Sequence, residues 1–448
     1  MSIMNLKRYL AVLLMVTLVF SIITPLKQAS AASDPISISA KASILVEASS
    51  GKILYGNNID EQLPVASMAK SMTEYLVLEA IHKGKIKWDQ TYTPDDYTYK
   101  ISQIRELSNV PLRKDGSYTV RELYEAMAIY SANGAAIALA EVVAGSETNF
   151  IKMMNDKAKE LGLKNSRFVN ATGLENRDLM GMQPDGTTVD EQSTMSARDM
   201  ALLAQRLIKD YPEMIQTASI PRKTFKEGTD MPNYNWMLKG LIYEYPGVDG
   251  LKTGSTSSAG SCFTATAKRN GMRVISVVLN ATDGTGDIKK PRFKETKKLL
   301  DYAYNNFTVE QLYPKNYQLK KQATLPVVDG KQKEAAIITK APLIVAMKRG
   351  EKESYQPKLT LDKRLLNDKG ELTAPVKKGQ KVGVMGLEYK GSEKDYGFLT
   401  GNSGGEVDVV TKENIDKANW FVLAMRGIGG FFAGLWNGAV HGVQGWFK

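Results

Sequence analysis

The sequence predicts an α/β body built on an antiparallel sheet flanked by helices, followed by a small all-β domain and a C-terminal amphipathic helix. Three observations carry this expectation. Strand and helix signals mix from about Ile36 to Phe307, and from about Gln311 to Val410 short alternating apolar runs are punctuated by Asp329-Gly330, Arg349-Gly350, Lys369-Gly370 and Lys378-Gly379. Beyond Asn414, apolar residues recur at three-and-four spacing. The expected divisions are a leader over 1–31, the body over 32–308, the β domain over 309–410 and the tail helix over 411–448. A chain of 448 residues has room for two cores, and its 43% apolar and 24% charged content is that of an ordinary folded protein.

The leader has the form of a secretory signal: Lys7 and Arg8, an apolar run from Tyr9 to Ile23, and the small-residue site Ala29-Ser30-Ala31, so the mature chain is expected to start at Ala32. A retained anchor is the alternative, but the run falls short of the ~20 apolar residues of a spanning helix. A single cysteine, Cys262, excludes an intramolecular disulfide, and its apolar surroundings suit a buried strand residue. The net charge of +11 is compatible with acidic polymers or anionic headgroups. No basic stripe or nucleic-acid motif accompanies it, so nucleic acid is not an expected partner.

In the body, Ala42 to Glu47 and Ile53 to Tyr55 read as strands joined by a hairpin around Gly51. A helix follows Pro64, with Met68, Met72, Tyr75, Leu76 and Ala80 on one face, and stops near Gly84. Later strands at Gly250 to Ser255, Cys262 to Lys268 and Arg273 to Asn280, with Asn270-Gly271 as a tight turn, are placed to join the first two in one sheet. In the tail, Phe421, Met425, Ile428, Phe432, Leu435, Trp436, Val440, Val443 and Phe447 oppose Asn437, His441, Gln444 and Lys448. This stripe favours an in-plane membrane anchor over a spanning helix or a helix folded back on its own domain.

Three motifs carry chemistry. Ser67-Met68-Ala69-Lys70 puts a hydroxyl and an amine on one helical face, where a lysine of lowered pKa activates the serine. The backbone N–H of Ser67, in the first turn, is also placed to serve as half of an oxyanion hole. A second copy of the spacing, Ser49-Ser50-Gly51-Lys52, sits in a hairpin and cannot present the pair in the same way. Ser131-Ala132-Asn133 interrupts two helical runs, the first opened by a capping box at Thr119 to Glu122. It is either a local cap or the edge of a cleft, with Ser131 relaying a proton and Asn133 holding substrate amides. Lys252-Thr253-Gly254, followed by Ser255, lies on a strand: Gly254 would let an extended peptide lie along the edge, Lys252 brings positive charge and Thr253 a hydroxyl.

The order Ser-x-x-Lys, Ser-x-Asn, Lys-Thr-Gly is that of penicillin-binding proteins and class A β-lactamases. With Pro64 to Lys70, Ala171-Thr172-Gly173-Leu174-Glu175 and Asp249 to Gly254, the chain resembles the low-molecular-mass penicillin-binding proteins that act as D-alanyl-D-alanine carboxypeptidases, in the type 5, Gram-positive vegetative form. The resemblance covers nearly the whole chain. It implies that Ser67 attacks the carbonyl between two D-alanines with Lys70 as base, while Ser131 and Asn133 line the cleft. It further implies that Lys252 and Thr253 hold the substrate carboxylate, that the Ser255 N–H completes the oxyanion hole, and that Arg292 adds a carboxylate contact. The implied partners are peptidoglycan stem peptides, β-lactams as covalent inhibitors and the outer face of the cytoplasmic membrane. No cofactor or metal is implied.

A Ser-His-Asp hydrolase lacks the histidine, since His441 is in the tail and His82, on the same helix as Ser67, stands roughly 22 Å away. Two distant histidines and one cysteine make no ordinary zinc site, and Asp283-Gly284-Thr285-Gly286-Asp287 reads as a hairpin connection. A β-lactamase and a non-catalytic wall-binding protein are the alternatives. Against the first, Glu175-Asn176-Arg177-Asp178-Leu179 does not fit a segment that positions deacylating water; against the second, Ser67, Lys70, Ser131 and Lys252 are all present.

Overall fold

Both ends of the body meet in one antiparallel sheet in the computed structural model, which describes residues 36–401 and 405–425. Strands β1 (Ala40–Glu47) and β2 (Ile53–Asn57) join β3 (Val248–Gly254), β4 (Ser261–Arg269) and β5 (Met272–Ala281) in the order β3-β4-β5-β1-β2. The β-branched run of β5 suits a central strand covered on both faces: Val274, Ile275, Val277 and Val278 are buried, with Ile44 opposite Val277 and Val46 opposite Ile275. Asn270 and Gly271 both have positive φ, 48° and 79°, which the two-residue turn between β4 and β5 requires.

The β1–β2 hairpin shows what the second Ser-x-x-Lys copy does. The Glu47 carboxylate accepts from the Ser49 hydroxyl (2.9 Å), the Ser50 hydroxyl (2.6 Å) and both backbone N–H groups. Lys52 turns away to pair with Asp395 and to sit over the Phe398 ring.

Six helices matter for the site: α1 (Lys70–His82), α2 (Val120–Tyr130), α3 (Asn133–Ala144), α4 (Glu147–Leu161), α5 (Ala197–Asp210) and α6 (Pro291–Asn306). Helix α2 opens on the expected capping box. Apart from Asn133 and Glu141, helix α3 is apolar all round, as a helix buried among others must be. Its first eight residues are buried, and its alanines let α1, α2 and α4 pack against it. Helices α5 and α6 cover the sheet. The Asp283 to Asp287 segment connects β5 to α6 and is therefore not a hairpin; its Asp287 carboxylate accepts the Lys289 N–H at 2.7 Å.

The second domain is all-β, as expected. Its largest sheet runs Tyr355–Leu361, Lys381–Tyr389, Val407–Thr411, Glu334–Thr339, Thr324–Val328, Leu372–Thr373, over a core that includes Leu325, Ile337, Val382, Met385 and Val409. The start of the tail needs correction. A helix from Asn414 was expected within a 411–448 tail, but Ile415 pairs with Val376 and is fully buried, and Lys417 bridges to Gly330. Ile415 belongs to the β core, packed with Leu325, Val376 and Val409. The helix begins at Trp420, where Trp420, Phe421 and Met425 are exposed. The remaining tail from 426 and the leader over 1–31 lie outside the described residues. Among those residues no helix is long and apolar enough to cross a membrane.

The β domain grips the body through the 395–399 segment. Ile53 donates to the Gly397 carbonyl and Leu399 to the Gly51 carbonyl, both at 2.9 Å, and the Leu399 side chain enters the core of the body. We expect Leu399→Ala to cost about 2–5 kcal/mol, as truncation of a buried leucine does. Denaturant unfolding checks this, and a midpoint unchanged from wild type would show that the loop adds nothing to the body's stability.

Candidate active site

Ser67 lies on a single 3₁₀ turn, Ala66–Ala69, that runs directly into α1. This differs from the α-helical first turn expected, and it sharpens the geometry: side chains three apart eclipse on a 3₁₀ helix. Lys70 Nζ accordingly sits 3.0 Å from Ser67 Oγ. The preceding Ala66 has φ +48°, a left-handed conformation that a residue with a side chain holds only when its surroundings impose it. Two glycines do so. A Cβ on Gly173 would lie 2.0 Å from the Ala66 carbonyl oxygen, and one on Gly254 would lie 2.5 Å from that of Val65. Gly254 is therefore needed by the serine turn itself, in addition to any role at the strand edge.

Lys70 is buried, with its Nζ within hydrogen-bond distance of three uncharged groups: Ser67 Oγ, Asn133 Oδ1 at 2.7 Å and the Thr172 carbonyl at 2.6 Å. Burial first, and then the Lys252 ammonium, hold it well below the usual lysine range, against the opposing pull of Glu147. A neutral amine has two N–H bonds and one lone pair. Asn133 and Thr172 take the two N–H bonds, which leaves the lone pair for the Ser67 hydroxyl.

Ser131 caps α2 in a left-handed conformation, φ +61°, and accepts from Lys252 Nζ at 2.8 Å. Burial pushes Lys252 down to about 7; buried Glu74, which accepts from Tyr124 at 2.7 Å, pulls it up and Arg292 pushes it further down. Asn133 is more committed than expected, because its amide also donates to the Ser108 carbonyl at 3.0 Å, leaving one N–H of the amide for a ligand. Ser67, Ser131, Asn133, Thr253 and Ser255 line one cleft of about 320 Å³, together with the aromatic rings of Tyr234 and Trp236.

Arg292 reaches this cleft, but its guanidinium is spent on the protein. Nε donates to the Lys289 carbonyl, Nη1 to the carbonyls of Gly254 and Cys262, and Nη2 to Ser255 Oγ and the Ile288 carbonyl. These are all five N–H bonds an arginine has. Arg292 thereby braces the end of β3 and Ser255, with its positive charge beside the cleft.

His82 pairs with Glu213 at 2.6 Å far from this cleft. Cys262 is buried, and burial pushes its thiol up to about 11. Sequence reasoning missed Glu74, Glu147 and the Thr172 carbonyl. The first stands four residues after Lys70 on the same helix, a readable signal; the other two depend on a loop returning from far along the chain.

A buried Ser-Lys pair on a sheet-and-helix body of this order is the arrangement of active-site-serine hydrolases of the penicillin-binding class. Residues 27–283 match the D-alanyl-D-alanine carboxypeptidase family, peptidase S11, and residues 307–417 match the C-terminal domain of penicillin-binding protein 5. The chain belongs to the D-alanyl-D-alanine carboxypeptidase family. It is 35% identical to the D-alanyl-D-alanine carboxypeptidase DacF of Bacillus subtilis, over 87% of this chain and 89% of the relative. With DacC of Escherichia coli it shares 33% identity, over 92% and 90%. Among solved structures, penicillin binding protein 5 of Haemophilus influenzae is similar with a TM-score of 0.68 and 28% identity, over 86% of this chain and 99% of that one. The peptidoglycan synthesis regulatory factor PBP3 of Streptococcus pneumoniae gives 0.69 and 34%, over 85% and 100%.

Gly173→Ala should displace the serine turn. An error of about 1 Å there costs roughly a hundredfold in rate, so acylation by a fluorescent penicillin should slow by about that factor in a protein that still folds. Acylation at the wild-type rate would mean that the turn does not depend on Gly173.

Proposed function

We propose that this enzyme removes the terminal D-alanine from peptidoglycan stem pentapeptides through an acyl-enzyme on Ser67. The observation that carries the proposal is the Lys70 amine, held by Asn133 and Thr172 with its remaining valence on Ser67. Lys70 takes the Ser67 proton as the oxygen attacks the carbonyl between the two D-alanines. The backbone N–H groups of Ser67 and Ser255 receive the oxyanion. Ser131, hydrogen-bonded to Lys252, passes its proton to the departing amine and is reprotonated by the Lys70 ammonium, which returns Lys70 to the neutral amine, while Lys252 with the Thr253 hydroxyl holds the leaving carboxylate. One amide N–H of Asn133 meets the acyl chain. Water then attacks the ester, the neutral Lys70 amine taking its proton and handing it to Ser67 Oγ as the acyl–oxygen bond breaks, so that both Ser67 and Lys70 are restored.

A β-lactam follows the first half of this route: Ser67 opens the ring, and the leaving nitrogen stays tethered. A β-lactamase would also need a deacylating carboxylate near the ester. Glu175, the nearest such residue by sequence, is engaged elsewhere, accepting from Ser257 (3.0 Å) and Ser258 (2.8 Å), which favours the carboxypeptidase reading.

The signal-like leader and the apolar, aromatic tail support export and attachment of the enzyme to the outer face of the cytoplasmic membrane. The exposed Trp420, Phe421 and Met425 at the first turn of the tail helix support this reading.

Incubation with a stem pentapeptide should release D-alanine from wild type and none from Ser67→Ala; equal release from the two would refute the proposal. The base must be neutral to act, so activity should fall as pH drops through the lowered pKa of Lys70, giving an acid limb far below the ordinary lysine value. A limb near the ordinary value would exclude Lys70 as base. Deleting residues 420–448, which spares Ile415, should release active enzyme from membranes; continued attachment would refute the tail assignment.

A further inference from the structure

Two buried carboxylates beside the site, Glu74 and Glu147, have no part in the steps above. Glu147 opens α4, and its side chain reaches two groups: the backbone N–H of Ala171 at 2.7 Å and the Tyr97 hydroxyl at 2.9 Å. Ala171 is also held from its other side, its carbonyl accepting from Thr73 Oγ1 of α1 at 2.7 Å. The next residue, Thr172, supplies the carbonyl that accepts from Lys70, and the one after it, Gly173, abuts the Ala66 carbonyl of the serine turn. Asn170 completes the turn, its Oδ1 accepting from the N–H groups of Thr172 and Gly173.

We propose that Glu147 is a positioning residue for the reaction: by fixing the Ala171–Gly173 turn it aims the Thr172 carbonyl at Lys70, and it supplies the buried anion that faces Lys70 when that amine takes the serine proton. The inference rests on Lys70 being the base. A neutral amine whose second N–H lacks a fixed acceptor rotates, and its lone pair leaves the line to Ser67. The ammonium formed in the next instant is buried, with Lys252 pushing against it, and Glu147 is the acid that acts on it in the opposite sense. The titratable groups facing Glu147 are Lys70 on α1, Glu141 on α3 and Tyr97 on the short helix Asp96–Ser102. Burial, with Glu141, raises Glu147 to about 7, against the Ala171 N–H, the Tyr97 hydroxyl and Lys70, which hold it down.

The sign follows from charge. Replacing the anion by an amide removes the pull that keeps Lys70 protonated, so the acid limb of activity moves to lower pH, while the less supported ammonium makes the plateau lower. The test is acylation of the full-length protein by a fluorescent penicillin as a function of pH, for wild type, Glu147→Gln and Tyr97→Phe, with folding followed by circular dichroism. Glu147→Gln should shift the acid limb down by about half a pH unit or more and slow the plateau roughly tenfold, with initial penicillin binding little changed. Tyr97→Phe loses only one hydroxyl, raises the Glu147 pKa and should shift the limb in the same direction by less. Acid limbs superimposable on wild type overturn the proposal, whether or not the plateau falls, because a merely structural brace changes the amount of active site and not its titration. If instead Lys70→Ala is acylated at the wild-type rate, the assignment of the base fails, and this inference fails with it.

Discussion

None of the three hydrogen-bond partners of Lys70 is a carboxylate, and the residue is only 1% exposed. An ammonium in such a place has lost its water and gained no carboxylate as a direct partner, so burial drives it toward the neutral amine. Much of the surrounding architecture can be read as the means of holding that arrangement. The 3₁₀ turn eclipses Ser67 with Lys70, the αα corner at Ser131 delivers Asn133 Oδ1, and the Asn170–Gly173 turn delivers a carbonyl. The sheet contributes through Gly254, which allows β3 to press against the serine turn, and through Lys252, whose charge lowers the Lys70 pKa further.

Such a site is costly to maintain. Ala66 and Ser131 both hold left-handed conformations without being glycine, and two lysines are buried within the same core. The rigidity that offsets this comes from helix α3, whose alanine-rich surface packs α1, α2 and α4 close together, and from the sheet behind them. Arg292 shows the same logic at the strand end. Its five donors hold backbone carbonyls and Ser255, so the cleft gains positive charge and a fixed Ser255 from a side chain that has no donor left over.

Much of this was legible in the sequence because it rests on local pattern. The strands of the central sheet, the Asn270-Gly271 turn, the capping box before α2 and the apolar face of the serine helix all follow from periodicity and turn chemistry within a few residues. The three motifs were legible as a set, since each sits in a local structure that suits it. The readings that changed depend on distant contacts. Ile415, inside the expected tail helix, pairs with Val376, the Arg292 guanidinium is held by three separate segments, and Gly254 is fixed by a carbonyl nearly two hundred residues earlier. No spacing rule carries such information. Thr172 contributes only its backbone to Lys70, and a backbone carbonyl has no signature in residue type.

The protonation state of Lys70 in the resting enzyme is the point on which the account turns. Direct observation by NMR titration of lysines labelled at the ε-carbon, with Lys70 assigned by its loss in Lys70→Arg, measures it without reference to turnover. A Lys70 resonance that titrates well below the surface lysines agrees with a neutral base held by Asn133 and Thr172. A Lys70 that titrates with the surface lysines would contradict it, and would mean that Ser67 is activated by some other group.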